Sequence, residues 1–443
     1  MNTVFRIIWS HARQSTVVVS ELASASGKRS PGKGSSRGIA LSAAASVLLL
    51  PLQVFADVLP GGGVITNGTG NISSSGNTLT VEQLTDRMVT NWDSFSIGAD
   101  ATVIFDQLSS NSVALNRVSG ANPSELLGQL QANGRVYLIN PNGVLVGAGA
   151  HINTAEFLAS ALDISDTNFM EGGDQEFSGD SLASVVNLGE ITAANGDVIL
   201  IAYQVRNEGT LSAPEGVAAL AAGNNVVFRP DEDSHILIRA SVVADSNLTG
   251  VENTGVIAAA QAELKAAGGS VYDLAINQTG VVRASGSATL NGRVLLTAEA
   301  GDLQHSGTIS AHNHDGSGGE VLIGDDNSGY GIASTTTVAA TAVIDVAATA
   351  TSGDGGSVQI TAQDNTVFDG QINASAGTVG GNGGSAAVTG ALALQFGGSA
   401  NLGATAGDTG TLTITSADQT IGSNAGDLMA GADLANLLTT SNV

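Results

Sequence analysis

Residues 187–202 read NLGEITAANGDVILIA, in which two short runs of aliphatic and β-branched residues are separated by small and polar residues. Each run has the length of one strand, and glycine or asparagine stands where the backbone would turn. The phrase returns as NEGTLSAPEGVAALAA from residue 207 and, more loosely, from residues 253, 278, 305 and 368. A unit repeated in this way predicts stacked coils in place of one globular core.

The spacing of the repeats indicates the kind of stack. Five repeat glycines, at positions 189, 209, 255, 280 and 307, are separated by 20, 46, 25 and 27 residues, and most of these steps are typical of a solenoid. The 443 residues include 58 Gly but only 2 Trp, 4 Tyr and 10 Phe, so small side chains must fill a narrow interior. We therefore predict an all-β fold, a parallel β-helix with about 17 coils of roughly 22 residues. A leucine-rich horseshoe is the nearest competitor, but no L-x-x-L-x-L phrase recurs.

Residues 57–170 differ from the repeats because they carry larger aromatic residues and few glycine-rich phrases. A solenoid needs an atypical end unit that covers its first coil. We predict that this segment is an N-terminal cap whose core contains Trp92, Phe95, Phe105 and Tyr137. Within it, VEQLTDRMVTNW has apolar residues at helical spacing yet lies among strand signals, so periodicity leaves its structure open.

Charge separates the first 56 residues from the rest. They hold 6 Lys and Arg against one acid, which leaves 9 of the 15 basic and 39 of the 40 acidic residues, a net charge of −30, for the remainder. The apolar run IALSAAASVLLLPLQVFA follows the basic stretch and ends at Ala56. This layout predicts a long secretory signal peptide, cleaved between Ala56 and Asp57, with no membrane-spanning segment in the mature chain. The acidic remainder does not suit a nucleic-acid partner.

A rigid turn, Asn140-Pro141-Asn142-Gly143, lies between the apolar runs RVYLI and VLV. Pro141 fixes φ at the second position of a type I turn, and the Asn140 side chain can accept a backbone N–H. Asn142 and Gly143 tolerate the strained conformations that follow. These residues can serve only to shape a corner, or they can contact an export partner, and the sequence leaves both interpretations open.

Residues 91–150, which include this turn, closely resemble the secretion domain of filamentous haemagglutinin-like exoproteins, the passengers of two-partner secretion systems. The leader MNTVFRIIWSHARQSTVVVSELA is similar to the extended signal region of the same family. The resemblance implies a right-handed β-helix that crosses the periplasm and is exported by an outer-membrane β-barrel transporter with periplasmic recognition domains. It also implies that the protein is secreted or held at the cell surface.

The tetrapeptide at 140–143 matches a hallmark of that family, which marks Asn140, Pro141, Asn142 and Gly143 as candidates for transporter recognition. A second hallmark of part of the family, Asn-Pro-Asn-Leu, is absent from this chain. The missing element suggests a subgroup with altered contacts to its transporter.

Candidates for chemistry are few. His312 and His314 form a short His-x-His pair without a third ligand at suitable spacing, while Asp315, Asp325 and Asp326 lie in loops rich in Gly and Ser. The stretches SGDGGS and GGNGGS lack the rest of a phosphate-binding or calcium-binding signature and are interpreted as coil corners. We expect no catalytic centre, no cofactor and no metal.

The sequence thus divides into a signal peptide (1–56), a cap and secretion domain (57–170), a β-helical stem (171–430) and a tail (431–443). The tail is either a truncated link to further coils or a C-terminal cap, in which Leu434 to Leu438 form an apolar helical turn. We expect a non-enzymatic adhesin that binds host-cell or surface glycan receptors. The alternatives are a haemolysin, a contact-dependent toxin carrier and a carbohydrate-active β-helix enzyme.

Overall fold

A computed structural model describes residues 5–10, 15–20, 59–229, 236–238, 249–267, 274–328, 331–417, 429 and 431–441. The chain forms two compact units, Met1–Val54 and Phe55–Val443. In the first unit, two strands pair antiparallel. No helix in the described parts of either unit is long and apolar enough to cross a membrane.

The elements of the N-terminal half, in chain order, are β1 Phe5–Ser10, β2 Ser15–Ser20, β3 Val64–Asn67, β4 Gly70–Ser75, β5 Thr78–Gln83, β6 Arg87–Trp92, β7 Thr102–Asp106, β8 Val113–Val118, β9 Ser124–Leu126, β10 Gln129–Ala132, β11 Arg135–Ile139, β12 Val144–Val146, β13 His151–Thr154, β14 Glu156–Ser160, α1 Asp166–Glu171, β15 Gln175–Ser178, β16 Ser184–Asn187, β17 Glu190–Ala193, β18 Val198–Ala202, β19 Gln204–Asn207, β20 Thr210–Ala222 and β21 Asn225–Phe228.

The remaining elements are β22 Ile236–Ile238, β23 Thr249–Asn253, β24 Val256–Ala266, β25 Leu274–Gln278, β26 Val281–Ala284, β27 Arg293–Ala298, β28 Asp302–His305, β29 Thr308–Ala311, β30 Glu320–Ile323, β31 Thr335–Val338, β32 Val343–Asp345, β33 Ser357–Ala362, β34 Asn365–Phe368, β35 Gln371–Asn373, β36 Ser385–Gly390, β37 Ala393–Phe396, β38 Ser399–Asn401, β39 Thr411–Ser416 and α2 Gly431–Leu437.

Parallel pairing arranges these strands in three faces. The first face contains β5, β7, β10, β13, β17, β20, β24, β26, β29, β32, β35 and β38. The second contains β6, β8, β11, β14, β18, the later halves of β20 and β24, and β27, β30, β33, β36 and β39. The third is the ten-stranded sheet from β9 to β37. The prediction of an all-β parallel β-helix is confirmed.

The described chain makes twelve coils, counted as strands of the first face. The expectation of about 17 is therefore wrong. Coils are longer than roughly 22 residues because the chain leaves the stack at insertions, such as the one that carries α1 and β15 between β14 and β16. Wide corner loops between the first and second faces also lengthen the later coils.

Antiparallel strands cover the start of the stack: β3 pairs with β6, and β4 pairs with β5. The ambiguous segment 81–92 belongs to this end and consists of the end of β5, a short turn and β6. Its apolar residues Val81, Met88 and Trp92 are buried, whereas Leu84 in the turn is 45% exposed. The helical spacing was therefore coincidental, because the turn shifts the phase of the second strand.

The repeat motif Asn-x-Gly forms one corner of the later coils. Buried side-chain amides donate hydrogen bonds from coil to coil at 2.7–2.8 Å in the series Asn187, Asn207, Asn253 and Gln278. Two residues further along, a Cβ atom on Gly209 would lie 2.1 Å from the carbonyl oxygen of Gly189, and the same close approach recurs at each later repeat glycine. Glycine is needed there because adjacent backbones stack without room for a side chain.

A second layer lies over the early coils. It consists of α1 and a three-stranded antiparallel sheet in which β15, β21 and β22 are neighbours. Beneath it, the second-face strands β14 and β18 are buried at every position. Both sides of these strands are thus covered, by the interior of the β-helix and by this outer layer.

The tail at 431–441 contacts the last coil. Leu437 of α2 is buried, Leu434 packs against the core, and Leu438 is 56% exposed. The Leu402 N–H donates to the Thr440 carbonyl at 3.0 Å, while the Thr440 hydroxyl donates to the Ala400 carbonyl at 2.9 Å. The helical turn expected here is present, with Leu437 rather than Leu438 as its buried anchor.

Candidate functional site

The tetrapeptide at 140–143 forms the corner between β11 on the second face and β12 on the third. The Gly143 N–H donates to the Asn140 carbonyl at 2.9 Å, and the Asn142 N–H donates to Asn140 Oδ1 at 2.9 Å. Gly143 has a φ of +103°, which favours glycine, whereas among the described non-glycine residues only Ala300 and Asn327 have positive φ. Of the two residues that can tolerate a strained backbone, Gly143 adopts one and Asn142 does not.

Side chains of the corner bind the preceding coil. Asn140 Nδ2 donates to the Asn122 carbonyl and to Ser124 Oγ, each at 3.0 Å. Asn142 Nδ2 donates to the Gly120 carbonyl at 2.8 Å. Two asparagines around a proline are thus used together, because one turn must satisfy polar groups of a neighbouring loop as well as its own.

The backbone of the corner binds the following coil. The Asn140 N–H donates to the Ser160 carbonyl at 2.9 Å, and Ser181 Oγ donates to the Pro141 carbonyl at 2.6 Å. Asn140 is fully buried, whereas Pro141 and Asn142 are exposed. In the folded protein a partner could therefore touch Pro141 and Asn142 but not the amide of Asn140.

Three of the four aromatic residues expected in the cap core lie inside the first coils: Trp92, Phe95 and Phe105 are each 1% exposed. Trp92 Nε1 donates to Asn116 Oδ1 at 3.0 Å, and its ring meets that of Phe95 edge to face at a centroid distance of 5.4 Å. This polar anchor satisfies the indole N–H in an otherwise apolar interior.

Tyr137 is also buried, but it faces the outer layer. Its ring lies 6.0 Å from that of Phe169 in α1, and its hydroxyl donates to Glu156 at 2.7 Å. Burial and the nearby charge of Asp197 raise the pKa of Glu156 to about 7, against the opposing effect of Arg135. Burial likewise raises the pKa of Tyr137.

Two arginines attach the outer layer to the first coils. Arg117 of β8 forms ion pairs with Asp163 at 2.9 Å and Asp166 at 2.7 Å. Burial alone would lower the pKa of Arg117, but its hydrogen bonds to these carboxylates outweigh burial and raise it. Arg87 of β6 donates to the Phe169 carbonyl at 2.6 Å and lies 5.3 Å from the centre of its ring.

This attachment was not predicted from the sequence. Its signal was the unbroken apolar runs within β11, β14 and β18 (VYLI, FLA and VILIA), which are typical of strands covered on both sides. A second sign of the attachment was Arg117, a charged residue that follows the apolar start of β8.

The acidic residues considered as catalytic candidates are engaged in hydrogen bonds or an ion pair. Burial disfavours ionisation of Asp326, but Lys265, at 2.6 Å, and Ser328 outweigh it and lower the pKa of Asp326. Hydrogen bonds from Ser317 lower the pKa of Asp315, and Asp325 accepts from the Asn327 N–H at 2.8 Å. Within the described ranges, no three His, Cys, Asp or Glu side chains are gathered as metal ligands, His312 and His314 included. The expected cleavage residues, Ala56 and Asp57, lie outside the described residues.

Comparison with known families gives two matches. The TPS secretion domain family matches residues 56–311, and the family described as the extended signal peptide of the type V secretion system matches residues 1–51. The first match extends well beyond residue 170, the end of the secretion domain predicted from the sequence.

Two similar proteins are both named heme/hemopexin-binding protein. The one from Haemophilus influenzae strain KW20/Rd is 34% identical over 267 residues, which cover 58% of this chain and 29% of that protein. The other, also from Haemophilus influenzae, is 30% identical over 256 residues, covering 52% and 27%. The chain therefore spans less than a third of the length of these curated relatives.

A similar solved structure is the HMW1 secretion domain from Haemophilus influenzae, with a TM-score of 0.64 and 28% sequence identity. The alignment covers 80% of this chain and all of that domain.

Proposed function

The chain belongs to the TPS secretion domain family, and from this premise we propose that a dedicated outer-membrane β-barrel transporter with periplasmic recognition domains exports it. The family match over residues 56–311 is the observation that carries the proposal. Together with the extended signal peptide, it makes the chain a secreted two-partner exoprotein that passes through the periplasm. The resemblance deduced from the residues is confirmed.

We propose further that the transporter recognises the tetrapeptide at 140–143 before its corner closes. The bonds from Asn140 and Pro141 to Ser160 and Ser181 require chain that lies C-terminal to the corner. While that chain is still unfolded, the backbone N–H of Asn140 and the carbonyl of Pro141 are open to a partner. Once the coils close, both groups are paired and only the side chains of Pro141 and Asn142 stay exposed, so folding would release the transporter.

Separate replacements of the two asparagines test this role. In cells that express the transporter, Asn142→Ala should reduce the amount of chain in the medium, while Asn195→Ala, at another exposed corner, should not. The purified Asn142→Ala protein should unfold at nearly the wild-type temperature, because the exposed side chain loses two hydrogen bonds, to the Gly120 carbonyl and to Asn140 Oδ1, at a total cost of about 1 kcal/mol. Wild-type export of Asn142→Ala would contradict recognition through this residue.

Asn140→Ala separates folding from recognition. It removes a buried amide with several partners, so we expect a loss of about 1–3 kcal/mol in the free energy of unfolding as well as reduced export. If export decreased only in proportion to stability across both variants, the corner would have a structural role alone.

Beyond export, we propose a non-enzymatic binding role, with adhesion to host cells as its consequence. The local engagement of Asp315, Asp325 and Asp326 in turns and an ion pair supports a non-catalytic surface. The names of the two relatives favour a second candidate, binding of haem or hemopexin. Adhesion of the purified protein to cultured epithelial cells, measured beside titration with haem and with hemopexin, distinguishes the two roles.

A further inference from the structure

A groove of about 930 Å³ follows the corner between the first and second faces in the later coils. It crosses the coils of β24, β27, β30, β33, β36 and β39. Five steps of about 4.8 Å between these coils give it a length of about 24 Å. The last four residues of each of the motifs SGDGGS and GGNGGS, interpreted from sequence as simple corners, line it.

Polar side chains line the groove in two rows. One row consists of the first outward-facing residues of the second-face strands, which are in register from coil to coil: Gln261, Arg293, Glu320, Ser357, Ser385 and Thr411. The other row contains Asp354, Asn382 and Asp408. Asp354 Oδ1 accepts from the Asn382 N–H at 2.7 Å, and Asn382 Oδ1 accepts from the Asp408 N–H at 3.0 Å, which fixes one polar residue per coil.

Several of these groups have unused hydrogen-bonding capacity. Within the described part of the chain, the carboxylates of Glu320 and Asp408 and the hydroxyls of Ser357, Ser385 and Thr411 make no hydrogen bond or ion pair. They recur at the spacing of the coils, so they present a regular series of donors and acceptors to anything lying along the groove.

Glycines form the floor between the rows. A Cβ atom on Gly356 would lie 2.1 Å from the Gly319 carbonyl oxygen, and one on Gly384 would lie 2.0 Å from that of Gly356, so stacking leaves the floor without side chains. The floor backbone is already paired between coils, as in the bond from the Gly355 N–H to the Asn382 carbonyl at 2.9 Å. A peptide strand therefore finds no free edge to extend.

The charges and polarity of the lining narrow the ligand class. Glu320, Asp354 and Asp408 oppose one guanidinium, that of Arg293, so the groove repels a polyanion. Among the described residues, Leu290 is the one large apolar residue that lines the groove. Such a lining does not suit an apolar cofactor or an apolar peptide. Carboxylates, amides and hydroxyls repeated along one line suit hydroxyl groups repeated along a linear polymer.

We propose that this groove binds an uncharged, linear oligosaccharide, with its sugar units lying along the coils. The inference rests on the proposed role as an exported binding protein and names the ligand class of that role. Export and binding can fail separately, because the ligand is titrated into purified protein whereas the transporter is tested by secretion.

Isothermal titration calorimetry of the purified chain with linear hexasaccharides of glucose, mannose and N-acetylglucosamine tests the groove. At least one should bind, and its monosaccharide should bind at least about tenfold more weakly because it reaches fewer coils. Ser385→Trp should weaken hexasaccharide binding at least about tenfold because the indole ring fills the groove. Gln395→Trp, at an exposed strand position of the same coil on the third face, should leave binding unchanged.

Circular dichroism establishes that each variant is folded, and Thr411→Trp in the next coil replaces Ser385→Trp if the latter is not. The proposal is overturned if no neutral hexasaccharide binds the wild-type protein, or if binding survives a folded variant with a filled groove. Equal loss in Gln395→Trp would place the ligand elsewhere. Preference for a sulfated polysaccharide, or binding of calcium chloride alone at the groove, would contradict the assigned ligand class.

Discussion

The early and late coils share one pattern of strand pairing but differ in what covers the second face. In the early coils, β14 and β18 are buried at every position beneath α1 and the sheet of β15, β21 and β22. In the late coils, β33 alternates between buried and half-buried residues, and β36 is similar. Burial therefore follows cover as well as fold: a strand covered on both sides is buried throughout, with Glu156 of β14 held by the Tyr137 hydroxyl, and one covered on a single side alternates.

The largest expected effect is on the outer layer. Phe169→Ala removes a buried ring that contacts Tyr137 and Arg87, at a cost of about 3–5 kcal/mol. Hydrogen exchange should accelerate in residues 163–178 and in β11, with the late coils unchanged.

Phe396→Ala is the matched change in the interior of the late coils, where the ring centroids of Phe396 and Phe368 are 4.9 Å apart. It should accelerate exchange around β34 and β37 and leave the outer layer protected. Equal acceleration in both regions by either variant would show that they unfold as one unit, contrary to the comparison.

A change in pH should have opposite effects on the stability of the two regions. The pKa of Glu156 in the early coils rises to about 7 on folding, so between its ordinary value of 4.5 and 7 the folded state holds a proton that the unfolded chain has lost. Its region therefore loses stability as pH rises through this window, by about 2 kcal/mol. Glu156→Gln should remove that loss, which denaturant titration at pH 5 and pH 8 measures. An unchanged pH dependence in the variant would contradict the assignment.

His305 in the late coils should show the reverse. Burial lowers its pKa from 6.5 to about 4, so acidification through this window protonates the unfolded chain first and removes about 2 kcal/mol of stability. His305→Asn should reduce this acid sensitivity because an amide does not titrate. The variant should fold because an amide at this position extends the series of Asn187 to Gln278. Denaturation at pH 4.5 and pH 7 tests it, and equal acid sensitivity of variant and wild type would refute it.

The smallest expected effect concerns the ion pairs of the outer layer. Arg117→Met should cost about 1 kcal/mol, because its partners Asp163 and Asp166 are partly exposed and screened. Arg206→Met, which breaks the more exposed pairs with Glu208 and Glu252 on the third face, should cost less. Thermal unfolding in low and high salt measures both, and a larger loss for Arg206→Met would reverse the proposed order.

Features that depend on a few neighbouring residues could be predicted from the sequence. The Asn-x-Gly repeats predicted the stack because each glycine has to meet the backbone of the coil before it, and Pro141 predicted a corner because its ring fixes φ. Long-range choices were not readable in this way. Periodicity left residues 81–92 undecided because the turn at Leu84 shifts the phase of β6, and Tyr137 faces outward because α1, distant in sequence, covers it. The groove was missed because its polar rows adjoin only after the coils are stacked.

Secretion with and without the partner tests the central claim most directly. The full chain is expressed in cells that either contain or lack the two-partner β-barrel transporter from its own source, and the chain is quantified in periplasm and medium. We predict that it reaches the medium only with the transporter and otherwise remains in the periplasm. Equal amounts in the medium of both strains, without cell lysis, would contradict export by a dedicated partner.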